Sequence, residues 1–248
     1  MFACYGGDRF WPLTADVAVF HAPLDRTVRA LRPRPRRRWR PRQAYPRHGT
    51  LEAALAARTE HALLLVATND RRTAVLSTAG LDHGWLRERA ALDLRCDLVR
   101  TTFRPAGTDV DPAARFGDLR IEPPAEPVPS DPRQADELTV DVLRYGEGWS
   151  FHRLGPVRPY EEERFYLVPA EADRLPFDLL ARYAAATGVP IGDLEFLSGP
   201  VATIPQPASA PGWSTIAELR AACGYPATGV VTSLTGNRAP AEPTPPPG

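Results

Sequence analysis

Lysine is missing altogether: all 30 basic residues of this 248-residue chain are arginines. A Schiff-base lysine and the lysine of a phosphate-binding P-loop are excluded with it. Isoleucine and asparagine are also scarce. Lys, Ile and Asn share AT-rich codons, so the shortage reflects a GC-rich coding sequence. Cysteine is limited to Cys4, Cys96 and Cys223, far apart, with no CxxC and no Cys–His pair at ligand spacing. An odd count without a framework predicts reduced thiols, each a small buried hydrophobe. The histidines His21, His48, His61, His83 and His152 include no HxH pair and no i, i+4 pair. Neither a metal nor a cofactor is expected. GxGxxG and GxxxxGK[ST] do not occur, and neither Ser77 nor Ser198 sits in a GxSxG elbow. No run approaches the ~20 apolar residues that cross a bilayer. Asp8, Arg9 and Asp16 interrupt the apolar positions of the first segment. The expectation is a cytoplasmic protein with no membrane partner.

A hydrophobic content of 43 % is enough for a sizeable core. The net charge of zero conceals an asymmetry. Up to Arg120 there are 21 arginines against 13 acids, a balance of +8; from Ile121 onward there are 9 against 17, a balance of −8. Oppositely charged halves suit packing against each other, or separate partners.

Periodicity gives the elements. Asp16 to Ala22 is a short strand or part of a helix, and Arg29 to His48, with nine arginines and four prolines, is an exposed extended loop. Thr50 caps a helix carrying Leu51, Ala54 and Leu55 on one stripe. Ala62 to Thr68, the Asn69-Asp70 turn and Thr73 to Ser77 form a hairpin. Gly84 to Cys96 is a helix with Asp82 placed to cap it, Leu98 to Phe103 is a strand, Pro105 to Ala114 a loop and Phe116 to Ile121 a short strand. After a Pro-rich stretch, Leu138 to Leu143 alternates apolar and polar residues and returns through Gly146 to a strand with Trp149 and Phe151 on one side. Arg164 to Val168 reads as a further strand. A helix starting at Pro176 buries Leu179, Leu180 and Tyr183 and stops at Gly188. A last short helix spans Ser214 to Cys223.

The fold class expected is α+β. Two similar-sized hairpin-plus-helix halves carry mixed or antiparallel strands with helices packed on one face. Residues 1–121 form the basic half with its Arg/Pro-rich loop 29–48, 122–133 a Pro-rich linker, 134–235 the acidic half, and 236–248 a Pro-rich disordered tail.

The candidate chemistry is sparse. Arg36, Arg37, Arg38 and Arg40 surround Trp39. Guanidinium groups flanking an aromatic suit an acidic protein surface, and equally phosphate neutralisation with base stacking, so nucleic acid stays open as a partner. His83, at a strand-to-helix junction, is a candidate general base and is otherwise an exposed residue of a first turn. His152 alternates with Trp149 and Phe151 and is expected to face solvent. Glu161-Glu162-Glu163 is the densest acidic cluster.

Arg9 or Arg29, then Ser77-Thr78-Ala79, then Glu161 and Glu163 resemble the ordered motifs of toxin-type ADP-ribosyltransferases, with Ala79 departing from the expected hydroxyl residue. That resemblance implies Glu163 as the catalytic carboxylate. The phrases Arg72-Thr73-Ala74-Val75-Leu76 leading to Trp85, and Gly148-Trp149-Ser150-Phe151 leading through Tyr160-Glu161 to Asp173-Arg174-Leu175, resemble α+β proteins of GC-rich, actinobacterial-type genomes. In style, an α+β chain without a catalytic set resembles the immunity proteins of polymorphic toxin systems, which occlude a toxin's active site. The function expected is a non-enzymatic protein-binding module of that kind, contacting its partner through Arg36, Arg37, Arg38, Trp39 and Arg40. The alternatives are an enzyme acting on a nucleotide or nucleic acid, with His83, His152, Glu161 or Glu163 as acid/base groups, and a nucleic-acid binder working through the basic loop.

Overall fold

A computed structural model of the chain describes residues 16–31, 45–57, 62–77, 84–104, 112–121, 135–191 and 193–205. Nine strands form one sheet: β1 (Asp16–Phe20), β2 (Arg47–His48), β3 (Ala62–Ala67), β4 (Thr73–Ser77), β5 (Leu98–Arg104), β6 (Ala113–Ile121), β7 (Ala135–Tyr145), β8 (Gly148–Leu154) and β9 (Val201–Pro205). Their order across the sheet is β2-β9-β3-β4-β1-β5-β6-β7-β8. Every neighbouring pair is antiparallel. The described helices are α1 (Leu24–Leu31), α2 (Leu51–Ala56), α3 (Gly84–Leu94) and α4 (Phe177–Ala186).

The α+β class holds, and the sheet dominates it. The helices, however, cover both faces rather than one. Alternate residues of a strand point to opposite sides, and in the central strands both sides enter a core. Val17, Val19, Leu64, Val66, Leu76, Val99, Phe103, Phe116 and Val140 belong to one core, with α2 and α4. Ala18, Phe20, Leu63, Leu65, Val75 and Leu98 belong to a second core, under α1 and α3. Double coverage explains the unbroken apolar run ALLLVA in β3: a half-buried strand would have to alternate.

Both sequence halves enter this one sheet. β6 and β7 pair in register from Ala113↔Leu143 to Ile121↔Ala135. From the far end of the chain, β9 comes back between β2 and β3. The linker at 122–133, the helix expected at Ser214–Cys223 and the tail all lie outside the described residues.

Local signals account for the elements that the periodicity reveals. Thr50 caps α2 by accepting the Ala53 N–H at 3.2 Å. Thr50→Ala should therefore cost about 1 kcal/mol and lower the melting temperature by about 3 °C in calorimetry. α4 buries Phe177, Leu179, Leu180 and Tyr183. Phe177 meets Phe103 edge-on at 5.2 Å, and Tyr183 meets Phe116 at 5.6 Å. Gly188, at φ +79°, closes α4 in a Schellman turn: Val189 N–H donates to Ala184 O and Gly188 N–H to Ala185 O. The β7–β8 turn places Gly146 at φ +57° and leaves Glu147 at negative φ, the type II′ arrangement of a two-residue hairpin.

Three expectations need correction. The exposed loop expected at 29–48 does not hold at its ends, because Arg29 to Leu31 finish α1 and Arg47–His48 form β2; residues 32–44 lie outside the described residues. Leu24, Thr27, Val28 and Leu31 are the buried stripe of α1, at i, i+3, i+4 and i+7. The loop expected to reach Ala114 gives way to β6 at Ala113. The strand expected at Arg164–Val168 is a 3-10 turn, Glu163–Leu167, between Pro159 and Pro169. Phe165 and Tyr166 both pack on the first core, which consecutive residues of a strand cannot do.

Candidate binding surface

β8 is an edge strand, bonded only to β7 among the described residues. Its first face, Trp149 and Phe151, packs on the core, and Arg153 lies on the same side. The segment from Gly155 to Leu175 folds over that face as a strap, held by two polar clusters. Gly155 starts it at φ +95°, where a Cβ would lie 1.9 Å from the Glu137 carbonyl oxygen, so no other residue fits there.

The first cluster centres on Asp118 of β6, whose side chain is 3 % exposed. It accepts from the Tyr160 hydroxyl at 2.6 Å and Arg120 Nε at 3.1 Å, and Arg158 Nε lies 3.6 Å away. Arg158 also donates to the Asp136 carboxylate at 2.7 Å and to the Asp136 carbonyl at 3.1 Å. Burial, together with the bond to Asp118, pushes the Tyr160 phenol well above its ordinary pKa. The second cluster centres on Glu161. Arg153 donates to both its oxygens, at 3.0 and 2.7 Å, Arg158 N–H at 2.6 Å and the Tyr166 hydroxyl at 2.9 Å. Burial pushes the Glu161 carboxyl up, but the bonds from Arg153, Arg158 N–H and Tyr166 outweigh it and hold the pKa below its ordinary value. Tyr166 continues to the Tyr183 hydroxyl at 3.0 Å, and Tyr183 accepts from Glu162 N–H at 2.8 Å, tying the strap to α4.

The second face of the β7–β8 hairpin carries Thr139, Asp141, Leu143, Tyr145, Ser150, His152 and Leu154, and none of the described helices packs there. Arg115 bonds Asp141 at 2.8 Å, and Arg100, laid over Gly117, bridges Glu88 and Glu137. Burial raises the Asp141 pKa, and the Arg115 charge recovers only part of that shift. Arg115–Asp141 and Arg100–Glu137 join basic-half arginines to acidic-half carboxylates, so part of the charge asymmetry is matched inside the sheet. Among the described residues four large apolar side chains stand exposed: Tyr145 at the hairpin tip, Leu154 and Val157 at and just past the other end of β8, and Leu167 in the strap, the last three at 68, 64 and 82 %.

The sequence candidates that fall among the described residues, His152, Glu161 and Glu163, do not form one cluster. Arg36, Arg37, Arg38, Trp39, Arg40 and His83 lie outside the described residues, as do Arg9, Thr78 and Ala79 of the transferase-like pattern. His152 is exposed, as expected, and its Nε2 is 2.6 Å from Ser150 Oγ. It sits on the second face, whereas Glu161 bonds Arg153 on the first, so the sheet separates the two. Glu161 is enclosed and fully bonded, a structural carboxylate. Glu163 is exposed at the start of a 3-10 turn. Among the described residues no group of three or more His, Cys, Asp or Glu is placed to hold a metal, and no helix is long and apolar enough to cross a membrane. Cys96 is buried, and burial pushes its thiol up to about 11, as befits a small core residue rather than a nucleophile. No protein-family model, no curated protein and no solved structure matches the chain.

Sequence reasoning missed the clusters that fix the strap. Asp118 and Tyr160 are 42 positions apart, and neither belongs to a motif. The one available signal was the close packing of Arg153, Arg158 and Arg164 around the Glu161 run.

Proposed function

We propose that the protein is a protein-binding module whose partner adds an extended segment to the β8 edge. The observation that carries this reading is the edge itself. In a two-residue hairpin the closing pair Tyr145↔Gly148 is hydrogen-bonded, and bonded pairs alternate with non-bonded ones. The N–H and C=O groups of Trp149, Phe151 and Arg153 therefore point away from β7, and among the described residues they make no backbone hydrogen bond. Such a row of main-chain groups is a template for strand addition, with neighbouring apolar side chains supplying specificity. Leu154 ends this strand and Val157 follows it, both exposed, and exposed Leu167 follows Tyr166, whose ring meets Phe151 of the strand at 5.2 Å.

A toxin-neutralising, immunity-type protein acting in the cytoplasm is the most concrete form of this proposal. The arginines around Trp39 would be its long-range attraction to an acidic partner.

The test is an affinity capture from native lysate, with and without nuclease treatment. It compares the wild type, the double variant Leu154→Glu/Leu167→Glu and the triple variant Arg36→Ala/Arg37→Ala/Arg38→Ala. A protein retained by the wild type and lost from the Leu double variant supports the edge reading. Exposed substitutions of this kind change stability by about 0.5 kcal/mol or less, so the loss reports binding rather than folding. Loss only from the Arg triple variant moves the interface to the basic loop. Capture of nucleic acid alone, abolished by nuclease, overturns the proposal.

A further inference from the structure

Arg87 is an anomaly for a residue of its kind. It lies on the sheet-facing stripe of α3 with Ala90 and Ala91, at 2 % exposure, the bulkiest fully buried side chain among the described residues. Its Nη1 donates to Asp16 at 2.9 Å, while Nε and Nη2 are buried and have no hydrogen-bond partner among the described residues. Nε and Nη2 form the side-on edge of the guanidinium, the two parallel donors that fit the paired oxygens of a carboxylate or phosphate. A buried polar group is normally bonded, and one that is not calls for an explanation. Here the whole fork is vacant, rather than one stray atom.

A second arginine stands in the same neighbourhood. Asp16 pairs across the sheet with Thr102, and Arg104 follows two residues on, on the same face of β5, about 7 Å along the strand. The Nε of Arg104 is also buried and unbonded, and among the described residues Arg104 has no ion-pair partner. Arg100, next along that face in the other direction, has both terminal nitrogens taken by Glu88 and Glu137 and is not available. The first turn of α3 contains no acid. The one carboxylate facing this pair of arginines from β1 is Asp16, which is one-third exposed, so the ion pair itself reaches solvent. Among the described residues, local charge is thus unbalanced by one cation beside an unbonded, oxyanion-shaped fork.

We infer that Arg87 and Arg104, with Asp16 holding the Arg87 guanidinium in place, form a binding site for one small oxyanion, a phosphate or carboxylate group of a soluble ligand. The Arg87 fork takes two of its oxygens and Arg104 supplies the remaining charge. The site is on the opposite face of the sheet from the strap and at the other end of β5 from Leu98, so it is independent of the proposed β8 interface.

The experiment is a thermal-melt titration of the full chain with sodium phosphate and, separately, sodium acetate, sodium chloride keeping the ionic strength constant. A ligand that binds only the folded state raises the melting temperature with the logarithm of its concentration above its Kd, by about 5 °C or more at a hundredfold excess. The expected result is a saturable shift with at least one of the two anions. Phosphate alone marks a phosphorylated ligand, acetate alone a carboxylate, and either supports the site. Arg104→Gln, which breaks no described ion pair, should weaken that affinity tenfold or more, whereas Arg115→Gln, on the same sheet face but paired to Asp141, should leave it unchanged. Arg87→Gln should abolish it if the variant folds; the Arg104 and Arg115 variants decide the matter if it does not. No saturable shift with either anion, or a shift that Arg104→Gln does not weaken, overturns the inference.

Discussion

Asp118→Ala should lower stability by about 3–5 kcal/mol, the usual consequence of removing one partner from a buried charge cluster. At the size of this chain that corresponds to about 10 °C in melting temperature. The cause is what remains behind. Tyr160 loses its acceptor, and the nearly enclosed Arg158 guanidinium keeps only its bonds to Asp136. Arg120 suffers least, because its side chain is 44 % exposed and water replaces the lost carboxylate. Arg120→Ala is therefore the control, expected to cost under about 1 kcal/mol as an exposed ion pair does. Urea denaturation separates the two, since a fall in midpoint at constant slope is a fall in stability alone. If Asp118→Ala melts within about 1 kcal/mol of the wild type, the cluster is not what anchors the strap to β6.

Elements whose signal is local were legible in the sequence. The β3–β4 hairpin follows from two apolar runs about an Asn-Asp turn, and α4 from a proline at its start, a buried stripe and a glycine at its end. The alternation of β7 correctly places Leu138, Val140 and Val142 inside. Where two local signals compete, the denser one misleads. Proline and arginine from Arg29 onward hide the last turn of α1, although the stripe of Leu24, Val28 and Leu31 is present. What depends on distant pairing was not legible. Val201–Pro205 is five residues bounded by prolines, and only its place between β2 and β3 makes it a strand. Nothing in ALLLVA says that both faces of β3 are covered, since a single buried run fits several architectures.

The polar sites follow the same rule more severely. The candidates chosen from sequence were runs: arginines around Trp39, glutamates at 161 to 163. The structured clusters consist of isolated residues that register brings together, as Asp118, Asp136 and Arg158 are, or Asp16 with Arg87 across 71 positions. Of the acidic run, Glu161 turned inward, Glu162 pairs with Arg164 and Arg182, and Glu163 stays exposed. A charge run identifies where charge is, whereas geometry decides which member is enclosed.

Glu161→Gln should cost about 3 kcal/mol at neutral pH, at the lower end for breaking a buried pair because Gln keeps the shape and one acceptor oxygen. The amide nitrogen meets donors from Arg153, the Arg158 N–H or the Tyr166 hydroxyl where the carboxylate met them as an acceptor. The pH dependence identifies the cause. The folded-state pKa of Glu161 is depressed, so its contribution is present above the ordinary carboxyl value near 4.5 and is lost as pH falls through the lower, folded value. The stability difference between wild type and Glu161→Gln should therefore be largest at pH 7 and shrink steadily below pH 4.5. Asp141 works in the opposite sense, since its raised pKa means that its ionisation on going up in pH costs stability; Asp141→Asn should not narrow the gap at low pH. Tryptic cleavage supplies the structural readout. Arg164 and Arg174, followed by Phe165 and Leu175, are the cleavable sites of the strap, and local opening governs access to them. Cleavage there should be faster in Glu161→Gln than in the wild type at pH 7.5. A stability gap that stays constant from pH 7 to pH 3.5, with unchanged cleavage, would mean that Glu161 does not hold the strap as a carboxylate and that packing of Phe165 and Tyr166 alone holds it down.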